Sequence, residues 1–261
     1  MRIVVLAKPV PDATGQERLR QDFRLDREAV PAVINGNDEY ALEAALKLVE
    51  ASPDGGEVVL LAMAPGDAPE TIRKGLALGA ARAVLITDPA LEGSCALTTA
   101  HVLAAALRGL SFDLVLAGVD TSDGSGGVVA AGIAVLLGLP YLSYAARIEP
   151  SDGHVRVRRI TPTGYEVLDA PMPALISATQ ALGEPRYPAL KGIMAARRKE
   201  IATRSLADLD LCGAVVGGAA ATSRVTSSRP RAPRGTPRIV RGSQDEAVRE
   251  VVAFLAERRL I

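Results

Sequence analysis

Four short apolar runs, each followed by a stretch with helical spacing, constrain this chain more than any other feature. The runs are 2–7 (RIVVLA), 57–64 (EVVLLAMA), 82–87 (RAVLIT) and 113–118 (DLVLAG). They are apolar along nearly their whole length and not at alternate positions, as expected of strands buried on both faces of a parallel sheet. In the stretch 37–51, Ala41, Leu42, Ala45, Leu48 and Val49 recur at helical intervals, with Asn37 or Asp38 as the expected cap. Asp67 with Glu70 predicts a capping-box-like start for a second helix that runs to Leu78 and stops at Gly79. A third helix is predicted over 96–108, ended by Gly109, and a fourth up to Leu137, stopped by Gly138 and Pro140. Strands alternating with helices in this way predict an α/β fold with a doubly wound, mostly parallel, Rossmann-like sheet.

The rhythm changes beyond residue 140. Residues 141–148, 154–160, 165–169 and 174–178 are strand-like, with Asp152-Gly153 and Thr163-Gly164 as breaks, and predict an antiparallel extension beside the parallel core. Residues 213–222 are rich in Gly and Ala, and 223–241 in Ser, Pro and Arg without periodicity, so this stretch reads as a linker or extended arm. Ser243 and Glu246 open a last helix whose Val248, Val251, Val252 and Leu255 form one apolar stripe. Either the chain's own domain or a partner has to cover that stripe. The expected organisation is an α/β domain over 1–200, then a linker and helix over 201–261.

Composition narrows the function classes. Thirty basic and 30 acidic residues leave no net charge, which argues against a general nucleic-acid or anionic-membrane binder. The absence of Trp and the 3% aromatic content weaken base stacking as a binding mode. Cys95 and Cys212 are too few for a disulfide framework, and the N-terminus has no signal-peptide layout, so a reducing cytoplasm is the expected compartment. His101 and His154 are the only histidines and lie in unrelated contexts, which removes a His-rich metal site and leaves little material for a triad.

Three segments can carry function. The turn 118–127 (GVDTSDGSGG) follows a predicted strand and opens a helix, where a doubly wound sheet binds ligands. Its glycines let backbone approach an anion, and the helix amides favour one there. Spacing alone leaves a phosphate site and a plain turn both open, because the run is neither a Walker A loop nor a GxGxxG fingerprint. Asn35–Glu39 (NGNDE) precedes a helix and can cap it or bond an adenine and ribose; capping is the simpler reading. Residues 184–200 (EPRYPALKGIMAARRKE) are apolar where a loop should be polar, fixed by Pro185 and Pro188, and followed by Arg197, Arg198 and Lys199. An exposed apolar finger on a charged base fits a protein–protein contact. No GxSxG elbow or HExxH occurs, and nothing else points to a bond-breaking site.

Six segments, in order, carry a resemblance: IVVLAKPVPD, NDEYALEAAL, PETIRKGLALGA, DLVLAG, MPALISAT and EPRYPALKGIMAARRKE. Over about residues 2–209 the chain resembles the beta subunit of electron transfer flavoproteins, whose recognition loop follows a pattern close to N-E-P-R-Y-x-x-L-x-x-I-M-x-A-x-K-K. The resemblance implies an adenine-nucleotide alpha-hydrolase-like sheet and a heterodimer, with most of the FAD on an alpha subunit and a structural AMP on the beta subunit. Carried over by position, the AMP site comprises Leu6, Asn35, Gly36, Asn37, Asp38, Met63, Ser122, Asp123, Gly124, Ser125, Gly126, Gly127, Val128 and Val129. The amides of Gly127, Val128 and Val129 would face the phosphate. Tyr187, Leu190, Ile193 and Met194 would dock client acyl-CoA-type dehydrogenases, Leu190 acting as the anchor, and Glu166 would pair with an arginine of the flavin domain. The chain is then an electron-carrier subunit and not itself an enzyme, passing electrons through FAD to a membrane oxidoreductase or other acceptor. The C-terminal arm would embrace the alpha subunit.

The chain departs from the family pattern in the glycine-rich turn. Members often read G-[KR]-Q-x-x-D-x-D-x-x-Q-x-G, with glutamines that bond the nucleotide; Asp120 and Val128 stand at those positions here. Only backbone contacts to a nucleotide then remain in the turn. Two alternatives stay open: a bifurcating relative with FAD in place of AMP, and a stand-alone adenine-nucleotide-binding module without a redox role.

Overall fold

The structure, a computed structural model, describes residues 1–15, 18–229, 235 and 237–261. Strand β1 (Arg2–Leu6) leads through a two-stranded antiparallel ribbon, β2 (Pro9–Pro11) and β3 (Ala32–Ile34), into helix α1 (Gly36–Ala51). Next come β4 (Glu57–Met63), α2 (Pro69–Leu78), β5 (Arg82–Ile86), α3 (Ala96–Arg108), β6 (Leu114–Gly118) and α4 (Val129–Leu137). Then follow β7 (Tyr141–Ser151), β8 (His154–Thr161), β9 (Gly164–Pro171), β10 (Ala174–Ala178), the short α5 (Leu190–Ala196), β11 (Ile201–Arg204) and α6 (Gln244–Glu257).

One nine-stranded sheet has the order β11-β5-β4-β1-β6-β10-β7-β8-β9. It is parallel from β11 to the first half of β7, and antiparallel through β7, β8 and β9. Successive side chains of a strand point to opposite faces, and the core divides accordingly. Ile3, Val5, Leu60, Leu85, Leu114 and Leu116 pack with α1 and α2 on one face. Val4, Leu6, Leu61, Ile86 and Val115 pack with α3 and α4 on the other. Complete burial of a side chain such as Leu60 or Ile72 is worth roughly 1.5–3 kcal/mol. The chain runs one way from β1 to β4 and β5, then returns past β1 to β6. The sheet therefore reverses its order between β1 and β6, and a crevice opens there at the carboxyl ends of the strands.

Several expectations need correction. Residues 174–178 were expected within the antiparallel extension, but β10 is a parallel strand between β6 and β7, and all five of its residues are buried. An uninterrupted apolar run is the pattern of a strand covered on both faces, whereas β8 alternates buried and exposed positions along most of its length. The Asp152-Gly153 turn between β7 and β8 has both residues at positive φ, 47° and 78°, as a tight hairpin requires. Helix α2 has Ala68 at its N-cap with no side-chain cap, because Pro69 takes the first helical position and leaves Asp67 one residue outside. Residues 201–226, expected to begin the linker, belong to the compact unit that spans Met1–Thr226, with β11 pairing in parallel to β5 at the sheet edge.

The second unit spans Ser227–Ile261. In it α6 has the predicted capping box between Ser243 and Glu246, and none of its residues is buried. Residues 230–234 and 236 of the stretch read as a linker lie outside the described residues.

Helix α5 packs so closely on α2 that a Cβ built at Gly192 would sit 2.4 Å from the carbonyl oxygen of Ala77. Backbone cannot yield as a side-chain tip can, so Gly192→Ala is expected to push α5 outward and to cost about 1–3 kcal/mol. The denaturant midpoint of the purified protein would show this as a lower value with an unchanged slope.

Candidate functional site

The segment 35–38 binds across the crevice and does not cap its own helix. Asn35 occupies the N-cap of α1 but makes no side-chain cap bond. Its buried amide instead forms a reciprocal pair with the turn after β6: Nδ2 donates to the carbonyl of Asp120 at 2.9 Å, and Oδ1 accepts from the amide of Ser122 at 3.1 Å. Asn37 Nδ2 donates to the Asp120 carboxylate at 2.6 Å. Asp38 is buried and accepts the amides of Lys8 at 2.8 Å and Gly118 at 3.1 Å. The capping reading of this segment is thus corrected, since tertiary partners outcompete the local helix amides for these oxygens.

Burial pushes the Asp38 carboxyl up to about 7, against the opposing hydrogen bonds from Lys8, Asn35 and Gly118. Gly118 is required by the same packing. A Cβ there would lie 2.6 Å from Asp38 Oδ1 and 2.7 Å from Asn37 Cβ.

The glycine-rich turn has its own electrostatic anchor. Asp123 has a side chain only 1% exposed and meets Lys8 Nζ at 2.8 Å and the guanidinium of Arg27. Burial would raise its carboxyl, but hydrogen bonds from Lys8, Thr121 and Arg27 hold it at about 2. Both cations pair with this one carboxylate, and Asn37 engages the other carboxylate of the turn, Asp120. Beyond it Ser125 and Gly127 take positive φ, 45° and 61°, and residues 124–128 are exposed. Among the described residues, no backbone carbonyl accepts the amides of Gly127, Val128 or Val129 at the start of α4. Free helix-start amides beside a neutralised carboxylate fit a phosphate group.

The other candidates are distributed around this centre. Leu6 and Met63 close the carboxyl ends of β1 and β4, on the face packed by α3 and α4. A cleft of about 520 Å³ opens on the α1 side, lined by Asn35, Gly36, Asn37, Asp120 and Ser122 on one wall and by Pro185, Arg186, Tyr187 and Pro188 on the other. It does not include Leu6, Asp38, Met63 or residues 123–129, so of the predicted nucleotide residues only Asn35, Gly36, Asn37 and Ser122 line it. Glu166 on β9 is exposed and already paired, accepting from Arg159 Nε at 2.7 Å.

The apolar finger is exposed as expected. Tyr187 is 94% exposed and Leu190 76%, with Met194 and Ile193 also outward. Sequence reasoning missed the groups that hold these features in place: Lys8, Arg27 and Arg186. Lys8 falls within the IVVLAKPVPD segment directly after β1, which signals a position at the strand's carboxyl end; Arg27 has no comparable local signal.

Comparison with known proteins agrees with this architecture. A family model described as the electron transfer flavoprotein domain matches residues 22–209. The chain is 39% identical over 264 residues to the electron transfer flavoprotein subunit beta of Mycobacterium tuberculosis, covering 99% of each chain. It is 34% identical to the subunit of that name from Clostridium acetobutylicum, covering 100% of each. It is also 35% identical to the Caffeyl-CoA reductase-Etf complex subunit CarD of Acetobacterium woodii, again covering 100% of each.

Asp38 gives the site a pH signature. An unfolded aspartate titrates at roughly 4, and the folded value is about 7, so the site's contribution to stability is full below the lower value and declines as pH rises through the higher one. Asp38→Asn leaves one backbone amide without an acceptor and is expected to cost about 1–3 kcal/mol at pH 5. That cost should shrink at pH 8, where the wild-type carboxylate is ionised and buried. Denaturation midpoints of both proteins at the two pH values check this.

Proposed function

The chain belongs to the electron transfer flavoprotein family, and from that premise we propose that it docks electron-donating dehydrogenases, holds a structural AMP, and supports the FAD of an alpha partner. Its part in electron transfer follows from its family, and FAD, when bound in the heterodimer, supplies the redox chemistry. The observation that carries the docking role is the finger: Tyr187, Leu190 and Met194 stand exposed on a segment tied to α1 through Arg186. An apolar anchor with a basic rim of Lys191, Arg197 and Arg198 suits a small contact that forms and releases quickly. Acyl-CoA-type dehydrogenases are the proposed clients, and a membrane oxidoreductase or other acceptor the outlet, with the whole path in the cytoplasm. Glu166, outward on β9 beside Arg159, is proposed to meet an arginine of the flavin domain.

AMP is proposed at the turn after β6, its phosphate on the amides of Gly127, Val128 and Val129. Asn35, Gly36, Asn37, Asp38, Leu6 and Met63 complete the site around the strand ends. With Asp120 engaged by Asn37 and Val128 apolar, the turn offers the phosphate backbone and not side chains. A nucleotide that binds only the folded chain stabilises it by mass action. The relative from Acetobacterium woodii, named for a caffeyl-CoA reductase complex, favours a second reading in which FAD takes the AMP position.

Acid extraction of the purified heterodimer followed by chromatography distinguishes the two readings. One AMP and one FAD per heterodimer is the expected result; two FAD and no AMP supports the second reading, and FAD alone removes the nucleotide role of the turn. For docking, Leu190→Ala is expected to lower kcat/KM for electron transfer from a dehydrogenase by roughly 10- to 30-fold, as loss of a central apolar anchor does. Heterodimer yield and flavin content should stay unchanged. Equal transfer rates for mutant and wild type would remove the docking role.

A further inference from the structure

Residues 184–189 have no regular secondary structure, yet they present the most exposed aromatic residue of the chain, Tyr187 at 94%. A free segment of this kind loses side-chain and backbone freedom at every encounter, and that loss weakens binding. Pro185 and Pro188 restrict the backbone but tie it to nothing. Among the described residues, the only polar side-chain bonds from this stretch to the body of the protein are made by Arg186. Its Nε donates to Glu43 Oε2 at 2.7 Å, and its Nη2 to Glu43 Oε1 at 3.2 Å. Its Nη1 and Nη2 donate to the two carboxylate oxygens of Glu50 at 2.6 and 3.0 Å. The backbone amide of Arg186 also donates to Glu43.

Glu43 and Glu50 lie two helical turns apart on one face of α1, and Glu43 is only 5% exposed. Burial opposes the ionisation of Glu43, but Arg186 overrides it and holds the carboxyl below its ordinary range. A planar guanidinium can span two carboxylates with paired bonds, whereas an ammonium meets them as a single point. On the C-terminal side of the finger, Arg73 donates to the carbonyls of Ala196 at 2.8 Å and Lys199 at 3.3 Å. Lys199 Nζ donates to the carbonyls of Leu76 and Ala80 at the end of α2. The finger is therefore stapled to α1 by Arg186 and to α2 by Arg73 and Lys199, with α5 resting on α2 and the side chains of Tyr187, Leu190 and Met194 left exposed.

We propose that Arg186, clamped by Glu43 and Glu50, is a positioning residue that pre-organises Tyr187 and Leu190 for docking. In this role it acts through the chain next to the docking residues and not through a bond of its own to the partner. It fixes the backbone next to the residues that do, so ordering cost is met in folding and not at each encounter. This inference rests on the docking role proposed for the finger.

The test uses purified heterodimers carrying Arg186→Lys, Glu50→Gln or Leu190→Ala, reduced by a medium-chain acyl-CoA dehydrogenase with octanoyl-CoA. Glu50 is 56% exposed at its side chain, so its neutral variant probes the clamp without emptying the core. Arg186→Lys is expected to raise the KM for the heterodimer about five- to tenfold and Glu50→Gln about threefold, with kcat within about twofold. Amide hydrogen exchange across 184–190 should become faster in both, while flavin content holds in both and the denaturation midpoint holds in Glu50→Gln. Arg186→Lys lowers the midpoint, because Glu43 is buried and loses its paired bonds. An unchanged KM in both clamp variants, alongside a raised KM in Leu190→Ala, overturns the positioning role and leaves docking intact. A KM unmoved in all three variants overturns the docking reading on which it rests. A KM increase in Glu50→Gln matched by loss of flavin or a lower midpoint overturns the proposal in favour of a purely structural salt bridge.

Discussion

Asp38 joins three elements with two hydrogen bonds, and the crevice depends on it. Its carboxylate accepts the amide of Lys8, just beyond β1, and that of Gly118, the last residue of β6. These are the strands between which the sheet reverses its order. A carboxylate buried at such a point carries a large desolvation cost, visible in its raised titration. Two backbone donors offset that cost only while both strands and α1 keep their places. The interaction therefore stabilises little by itself but specifies one geometry for the strand ends. Gly118 answers to the same constraint, because a side chain there would collide with Asp38 and Asn37.

Helix α1 carries this geometry outward. Its N-terminal residues brace the turn that opens α4 through Asn35, Asn37 and Asp38. Further along the helix, Glu43 and Glu50 hold Arg186 and with it the exposed finger. One rigid element thus sets the positions of both candidate binding features. The cleft between them is lined from both sides by residues of the turn, of α1 and of the finger. Buried polar networks of this kind are costly when incomplete and restrictive when complete. Among the described residues, no buried side-chain nitrogen or oxygen lacks a partner.

Much of this was legible beforehand, for local reasons. The alternation of buried strands and helices, the stops at Gly79 and Gly138, the Asp152-Gly153 hairpin and the Ser243–Glu246 capping box all depend on residues a few positions apart. The exposure of Tyr187 and Leu190 was legible too, since two prolines bar the segment from helix or ladder. The misreadings came from competition. Asn35 and Asp38 have the chemistry of caps, and the same oxygens serve residues 87 and 80 positions away. Residues 174–178 look like one more strand of a hairpin series, yet their unbroken burial suits the slot between β6 and β7.

The sequence by itself determined the class of fold, the order of its units and which segment stands out into solvent. Periodicity, glycine stops and proline placement act within a turn or two of chain, and no distant residue is needed to satisfy them. Only the tertiary structure decided which polar groups meet. Lys8 finds Asp123 at a separation of 115 residues, and Arg186 finds Glu43 at 143. Such pairs exist because the sheet returns the chain to the same edge several times. A charged side chain carries no local mark of the partner that waits there.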